Sequence, residues 1–292
     1  MMSYQTAEIE GLSVFYREAG NPANPTLVLL HGYPSSSFMF RNLIPALEDR
    51  FHLVAPDYPG FGNSESPAPS EFEYTFDHLS RVVEGLLESL GLRRFGIYIQ
   101  DYGAPVGQRI AVRRPEWIEA LIVQNGNAYE EGFSEAWDPI RNAFWVNRNP
   151  ETEAPLLKGF ISPEGVKAQW TAGARDPKGL SPDGWNMDNY FMGQPHKQQI
   201  QFDLLYDYRT NVPLYAQFQR FLRENRPPTL IVWGENDPFF TVEGARAYLR
   251  DVPGAELHLL PTGHFALEEE LDAISGHIHA FYEAQVRAAA TP

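Results

Sequence analysis

One acidic residue, Asp101, stands where the chain changes from an apolar run to a helical pattern. Phe95-Gly96-Ile97-Tyr98-Ile99 leads through Gln100 to Asp101. Tyr102-Gly103-Ala104 then leads into Pro105 to Arg113, which reads as a helix. A tight strand-to-helix turn of small residues presents its central side chain for attack on a bound molecule. A carboxylate there is ionised near neutral pH and needs no base to activate it. It suits displacement at saturated carbon, whereas attack on an acyl group would leave a high-energy anhydride. Three other polar clusters also follow short apolar runs: His31-Gly32-Tyr33-Pro34, Asp237 in Gly234-Glu235-Asn236-Asp237, and His264 in Thr262-Gly263-His264-Phe265. An aspartate at a strand end often only closes a turn. Four such clusters at strand ends are a set that can share one site.

The elements that must position them repeat with the rhythm of βα units. Thr26–Leu30, His52–Ala55, Phe95–Ile99, Ala120–Val123, Thr229–Trp233 and Glu256–Leu260 are continuous apolar runs, as expected of parallel strands covered on both faces. Ala7 to Ala19 reads as two antiparallel strands, which brings the sheet to eight. Leu79, Val82, Val83, Leu86, Leu87 and Leu90 lie at helical spacing ahead of Gly91, and Leu267, Leu271, Ile274, Ile278 and Phe281 mark a last helix. The expected fold is an α/β, mostly parallel eight-stranded sheet with helices on both faces. In such a sheet, ligands bind beyond the carboxyl ends of the strands.

The rhythm breaks over residues 127–226, a stretch with little strand pattern that holds Trp137, Trp145, Trp170 and Trp185, four of the six tryptophans. We expect a helical cap here, inserted after the sixth strand, with residues 1–126 and 227–292 forming the core.

Composition narrows the partners. A formal net charge of -15 disfavours nucleic acid and anionic membranes. With no cysteine, disulfides, thiol catalysis and Cys-based zinc sites are excluded. No apolar run approaches the length of a membrane span, and the opening residues lack the pattern of a secretory signal. The expectation is a cytoplasmic protein acting on a small organic molecule, with no metal and no organic cofactor. Its oligomeric state is open.

The chain resembles the α/β-hydrolase family over nearly its whole length, specifically the branch of epoxide hydrolases and haloalkane dehalogenases. The resemblance rests on His31-Gly32-Tyr33-Pro34, on Asp57-Tyr58-Pro59-Gly60-Phe61-Gly62-Asn63-Ser64, on the Asp101 turn, and on Asp237 and His264 in the family's chain order. It implies that Asp101 attacks carbon to form an alkyl ester, and that His264, oriented by Asp237, activates the water that hydrolyses it. The backbone N–H groups of Tyr33 and Tyr102 would hold the oxyanion. Asp57 would serve its turn only. Glu130 and Glu131 compete with Asp237 for the acid role, and Asp237 matches the usual place. Ser35, Ser36 and Ser37 lack an elbow and read as turn residues.

The leaving group divides the branch. An alkoxide from an epoxide needs an acid, often a phenol on the cap, whereas a halide needs only N–H donors. Tyr102 stands where dehalogenases usually have Trp, and Tyr33 where many have Asn. Tyr206-Asp207-Tyr208-Arg209 resembles the segment that carries a catalytic tyrosine in epoxide hydrolases, which points to Tyr208. Tyr190 and Tyr129 are candidates for a second phenol. The leading expectation is therefore an epoxide, with a dehalogenase second and an esterase, lactonase or non-catalytic receptor behind. Ile99, two residues before Asp101, replaces the usual small residue and implies either a locally adjusted turn or a branch of the family with its own substrate. The aromatic cap residues Trp170, Trp185, Phe144 and Phe191 favour a neutral, apolar substrate.

Overall fold

The computed structural model describes residues 1–286, in which eight strands form a single sheet. They are β1 (Ser3–Ile9), β2 (Leu12–Ala19), β3 (Thr26–Leu30), β4 (His52–Pro56), β5 (Phe95–Gln100), β6 (Ile118–Gln124), β7 (Thr229–Gly234) and β8 (Glu256–Leu260). Their order is β1-β2-β4-β3-β5-β6-β7-β8. β2 runs antiparallel to both β1 and β4, and the remaining pairs are parallel.

Strand periodicity divides the core in two. Val28, Leu30, Ile97, Ile99, Leu121, Val123, Ile231 and Trp233 face one apolar layer, while Leu27, Leu29, Tyr98, Ala120, Ile122, Leu230 and Val232 face the other. The chain forms ten α-helices among the described residues: α1 (Leu43–Leu47), α2 (Phe76–Ser89), α3 (Gly103–Arg113), α4 (Pro150–Leu156), α5 (Pro163–Thr171), α6 (Asp183–Met192), α7 (Lys197–Asp207), α8 (Tyr215–Asn225), α9 (Val242–Asp251) and α10 (Leu271–Phe281). Residues of α2, α3, α8 and α9 fill the first layer, and residues of α1 and α10 fill the second. The helix predicted at the C-terminal end begins at Leu271, because Ala266–Glu268 forms a separate tight turn just after His264. Gly91, at φ +72°, closes α2 as its position implied.

Between β6 and β7 the chain is helical. Asn149 caps α4 by accepting from the N–H groups of Glu151 and Thr152, and Ser162 caps α5. α8 lies within the expected insertion, yet it packs against α3 and α9 beside the sheet. Among the described residues no helix is long and apolar enough to cross a membrane.

The chain order reverses at β3, which pairs with β4 on one side and β5 on the other. Such a switch opens a crevice where two neighbouring loops leave the sheet in opposite directions. Leu30 is in register with Ile99, so the loop after β3 and the turn after β5 start side by side.

Candidate active site

Asp101 occupies that crevice. Its backbone is left-handed at φ +48°, a strained conformation for a side chain other than Gly. The turn tolerates it because its surroundings are trimmed. A Cβ on Gly103 would lie 2.2 Å from the Leu30 carbonyl oxygen, and one on Gly107 would lie 2.6 Å from Ile99 Cγ2. The second contact explains the bulky Ile99: the space it takes before the turn is supplied by a glycine on the following helix.

Gly32 is required for the same reason. A Cβ there would stand 2.3 Å from both Asp101 Cβ and Gln100 Oε1. The Gly32→Ala variant is expected to shift the Asp101 carboxylate and lower turnover about 100-fold, the usual effect of roughly 1 Å of misplacement. Overpacking should also lower the melting temperature, so assays of rate and thermal unfolding check both effects.

The Asp101 carboxylate is buried and accepts hydrogen bonds from the backbone N–H groups of Tyr33, at 2.7 Å, and Tyr102. Burial pushes its pKa above the usual carboxylate range, against the pull of His264 and of those two N–H groups. A poorly solvated carboxylate has less hydration to shed before attacking carbon. The paired N–H groups are the donors that a tetrahedral oxyanion formed on Asp101 would need.

The His264 ring is buried after β8, with Nε2 3.8 Å from Asp101 Oδ2 and Nδ1 2.7 Å from Asp237 Oδ2. Burial lowers its pKa, but Asp237, by charge and hydrogen bond, and then Asp101 outweigh that effect, so the net direction is upward. Asp237 is held in turn: Oδ1 accepts from Phe239 N–H and Oδ2 from Asn125 Nδ2, each at 2.7 Å. Asn125, at φ +46°, also bonds to both backbone groups of Gly234, at 2.9 and 3.2 Å. Gln124 donates to the His264 carbonyl at 3.1 Å. Sequence reasoning treated Gln124 and Asn125 only as the end of a strand; two polar amides at the end of a buried apolar run were the available signal. Glu130 and Glu131 pair instead with Arg141 and Arg250 at the surface.

His31 is also buried, and burial pushes its pKa down to about 4, which keeps it neutral. Its ring stacks on Tyr58 at 4.0 Å, and its backbone carbonyl accepts from the Tyr58 hydroxyl. Pro34 follows a cis peptide bond. Asp57 binds the N–H groups of Ser37 and Asn63, at 2.7 and 2.8 Å, and so joins two loops beside the site.

Above Asp101 lies a cavity walled by Tyr33 and Tyr102 from the core and by Trp137, Phe160, Gln169 and Gln201 from the insertion. No cationic side chain is among its lining residues. The Tyr33 hydroxyl donates to the Phe160 carbonyl at 2.9 Å. The buried Trp137 indole N–H has no hydrogen-bond partner among the described residues.

The other expected ligand-binding side chains lie off this cavity, each for a packing reason. Tyr208 is fully buried behind the wall, its ring against Trp137 at 4.7 Å and Tyr102 at 5.9 Å. Tyr190 is exposed and leans on Phe191. Tyr129 is buried against Tyr248 and donates to Asp251 at 2.6 Å. Trp170 stacks on Phe265 at 4.0 Å and donates to Asp188, while Trp185 packs at the edge of the second core layer beneath Lys167. Aromatic content predicted an apolar wall; it did not say which rings form it, and Trp137 was missed as a lining residue.

Residues 25–271 match the family model described as alpha/beta hydrolase fold. The chain is 41% identical over 276 residues to an uncharacterized hydrolase of Saccharomyces cerevisiae, covering 94% of each chain. It is 43% identical over 262 residues to haloalkane dehalogenase 2 of Mycobacterium tuberculosis, covering 87% of this chain and 86% of that one. With epoxide hydrolase 4 of Mus musculus it shares 27% identity over 302 residues, covering 97% of this chain and 80% of that one.

Proposed function

Because the chain belongs to the α/β-hydrolase family, we propose that it is a hydrolase working through an alkyl ester on Asp101. The observation that carries this reading is the buried carboxylate at the elbow, held by two backbone N–H groups and set 3.8 Å from a histidine bonded to Asp237. In the first step an Asp101 oxygen bonds to an sp3 carbon, and the leaving group departs with the electron pair of the broken bond. In the second, water gives a proton to His264 Nε2 and adds to the ester carbonyl. The intermediate collapses, the alcohol leaves with that proton, and the second proton of the water is released to solvent, which restores the Asp101 carboxylate. Asp237 stabilises the imidazolium throughout the second step.

Halide is the leaving group favoured by the cavity. Trp137 lines the cavity with Asp101 and its indole N–H has no hydrogen-bond partner among the described residues; such a donor stabilises a weakly basic anion without transferring a proton. Tyr208, the phenol expected to protonate an alkoxide, is not among the lining residues. An epoxide is the second reading, supported by the Tyr102 ring on the cavity wall. The absence of lining cations supports a neutral substrate for either.

The Trp137→Phe variant separates the two leaving groups. Loss of one donor to the departing anion should lower kcat/KM for haloalkanes about 10- to 100-fold, and turnover of epoxides should change little. Halide release and diol formation, measured on matched panels, report each outcome. Diol formation without halide release in the unmodified protein would reverse the order of the readings.

A further inference from the structure

Gln100, the last residue of β5, is fully buried beside the histidine, with its side-chain Nε2 2.9 Å from His264 Nε2. Asp237 accepts the Nδ1 proton, so Nε2 of the neutral ring carries the lone pair. An N–H₂ group is the end of an amide that can face it. The opposite end, Gln100 Oε1, has no hydrogen-bond partner among the described residues. A buried amide that leaves its carbonyl unpaired is a poor choice for packing alone, since Met or Leu would fill the space without that penalty.

The charged groups acting on this ring are Asp237 and Asp101. Its other neighbours are the rings of Phe239, Phe240 and Phe265. Two carboxylates in an apolar enclosure draw the ring toward imidazolium. In that form it would have no lone pair with which to activate water, and it would hold the nucleophile in an ion pair. Burial opposes this, and so can the Gln100 amide N–H₂ group at 2.9 Å from Nε2.

We propose that Gln100 is a positioning residue that donates an amide N–H to the Nε2 lone pair of His264 in the free enzyme, so keeping that nitrogen unprotonated until the ester exists. The role rests on the covalent reading given above. Once Asp101 is alkylated it loses its negative charge, the pull toward imidazolium weakens, and the amide yields its place to the hydrolytic water. No proton leaves Gln100 in this exchange; the proton taken up by His264 comes from water.

The test is an NMR titration of ¹⁵N-labelled imidazole in the unmodified protein and in Gln100→Met and Gln100→Glu. In the unmodified protein the neutral ring should show an Nε2 resonance shifted as for a hydrogen-bonded acceptor. Removing the donor in Gln100→Met should raise the His264 pKa by about one unit, a tenfold gain in proton affinity. Replacing it by an acceptor in Gln100→Glu should raise the pKa further. The acid limb of the pH–rate profile should move upward with the pKa. A lowered or unchanged pKa in the variants would overturn the proposal, as would a free-lone-pair resonance in the unmodified protein, which needs no variant to fold. Whether the ester forms is read separately by mass, so failure of the covalent reading is distinguishable from failure of this one.

Discussion

Replacing His264 by Gln should stop the protein halfway. The first step uses only the Asp101 carboxylate, which Tyr33 and Tyr102 hold by backbone N–H groups that the substitution leaves in place. The second step needs a base at the position of Nε2, and glutamine has none. Turnover should fall about 10⁶-fold, the scale of losing the histidine of a triad. One equivalent of leaving group should appear rapidly and then no more. Intact mass should rise by the alkyl group alone after a haloalkane, or by the whole molecule after an epoxide. Peptide mapping should locate the addition on Asp101. An unmodified mass with every substrate, in a folded protein, would reject the alkyl-ester mechanism and turn attention to acyl substrates or to a binding role.

Asp101→Asn should abolish the same chemistry one step earlier and make the fold more stable. A neutral amide does not displace a leaving group from saturated carbon, so neither the burst nor the adduct should form. The stability gain follows from the sign of the pKa shift. Burial, only partly offset by His264 and two N–H groups, raises the folded-state pKa of Asp101 above its unfolded value. Its contribution to stability is therefore largest in acid, and is lost as pH rises from the ordinary carboxylate range through the raised value. Above that window the native protein carries a buried charge that Asn removes. The melting temperature of the variant should exceed that of the parent at neutral pH, by about 2–4 °C for each kcal/mol regained. The gap should close as pH falls below the window. Equal melting temperatures at neutral pH would mean that the His264 and backbone contacts compensate the burial in full. A gain in stability at the loss of activity is the usual trade at a strained, charged site.

Much of the strand plan was legible in the chain. β3 and β8 carry the ends read from their apolar runs, and β4, β5, β6 and β7 extend those runs by one to three residues; the inner strands are apolar because both their faces are buried, whereas β8, at the edge of the sheet, is only partly buried. The strand-end clusters holding Asp101, Asp237 and His264 converge because parallel strands in register deliver their following loops to one edge. The order of the residues and their places after parallel strands were enough to anticipate that meeting.

The cavity wall was not legible. Trp137, Trp170 and Tyr208 are all buried aromatic rings of the insertion, and no local pattern separates them. Which ring faces the ligand is set by helix packing: Trp170 is committed to Phe265 and Asp188, and Tyr208 lies behind Tyr102 and Trp137. Only Trp137 of these three reaches the cavity. The groups that support Asp237 and His264 were equally hidden. Gln100, Gln124 and Asn125 look like ordinary polar ends of strands until β5, β6 and β7 are set side by side. By itself the sequence determined that Asp101, Asp237 and His264 meet and the sheet edge where they do, because residue type and periodicity act within a few neighbours along the chain. The tertiary structure alone decided what faces the ligand and what steadies the histidine, because those choices depend on contacts between residues far apart in sequence.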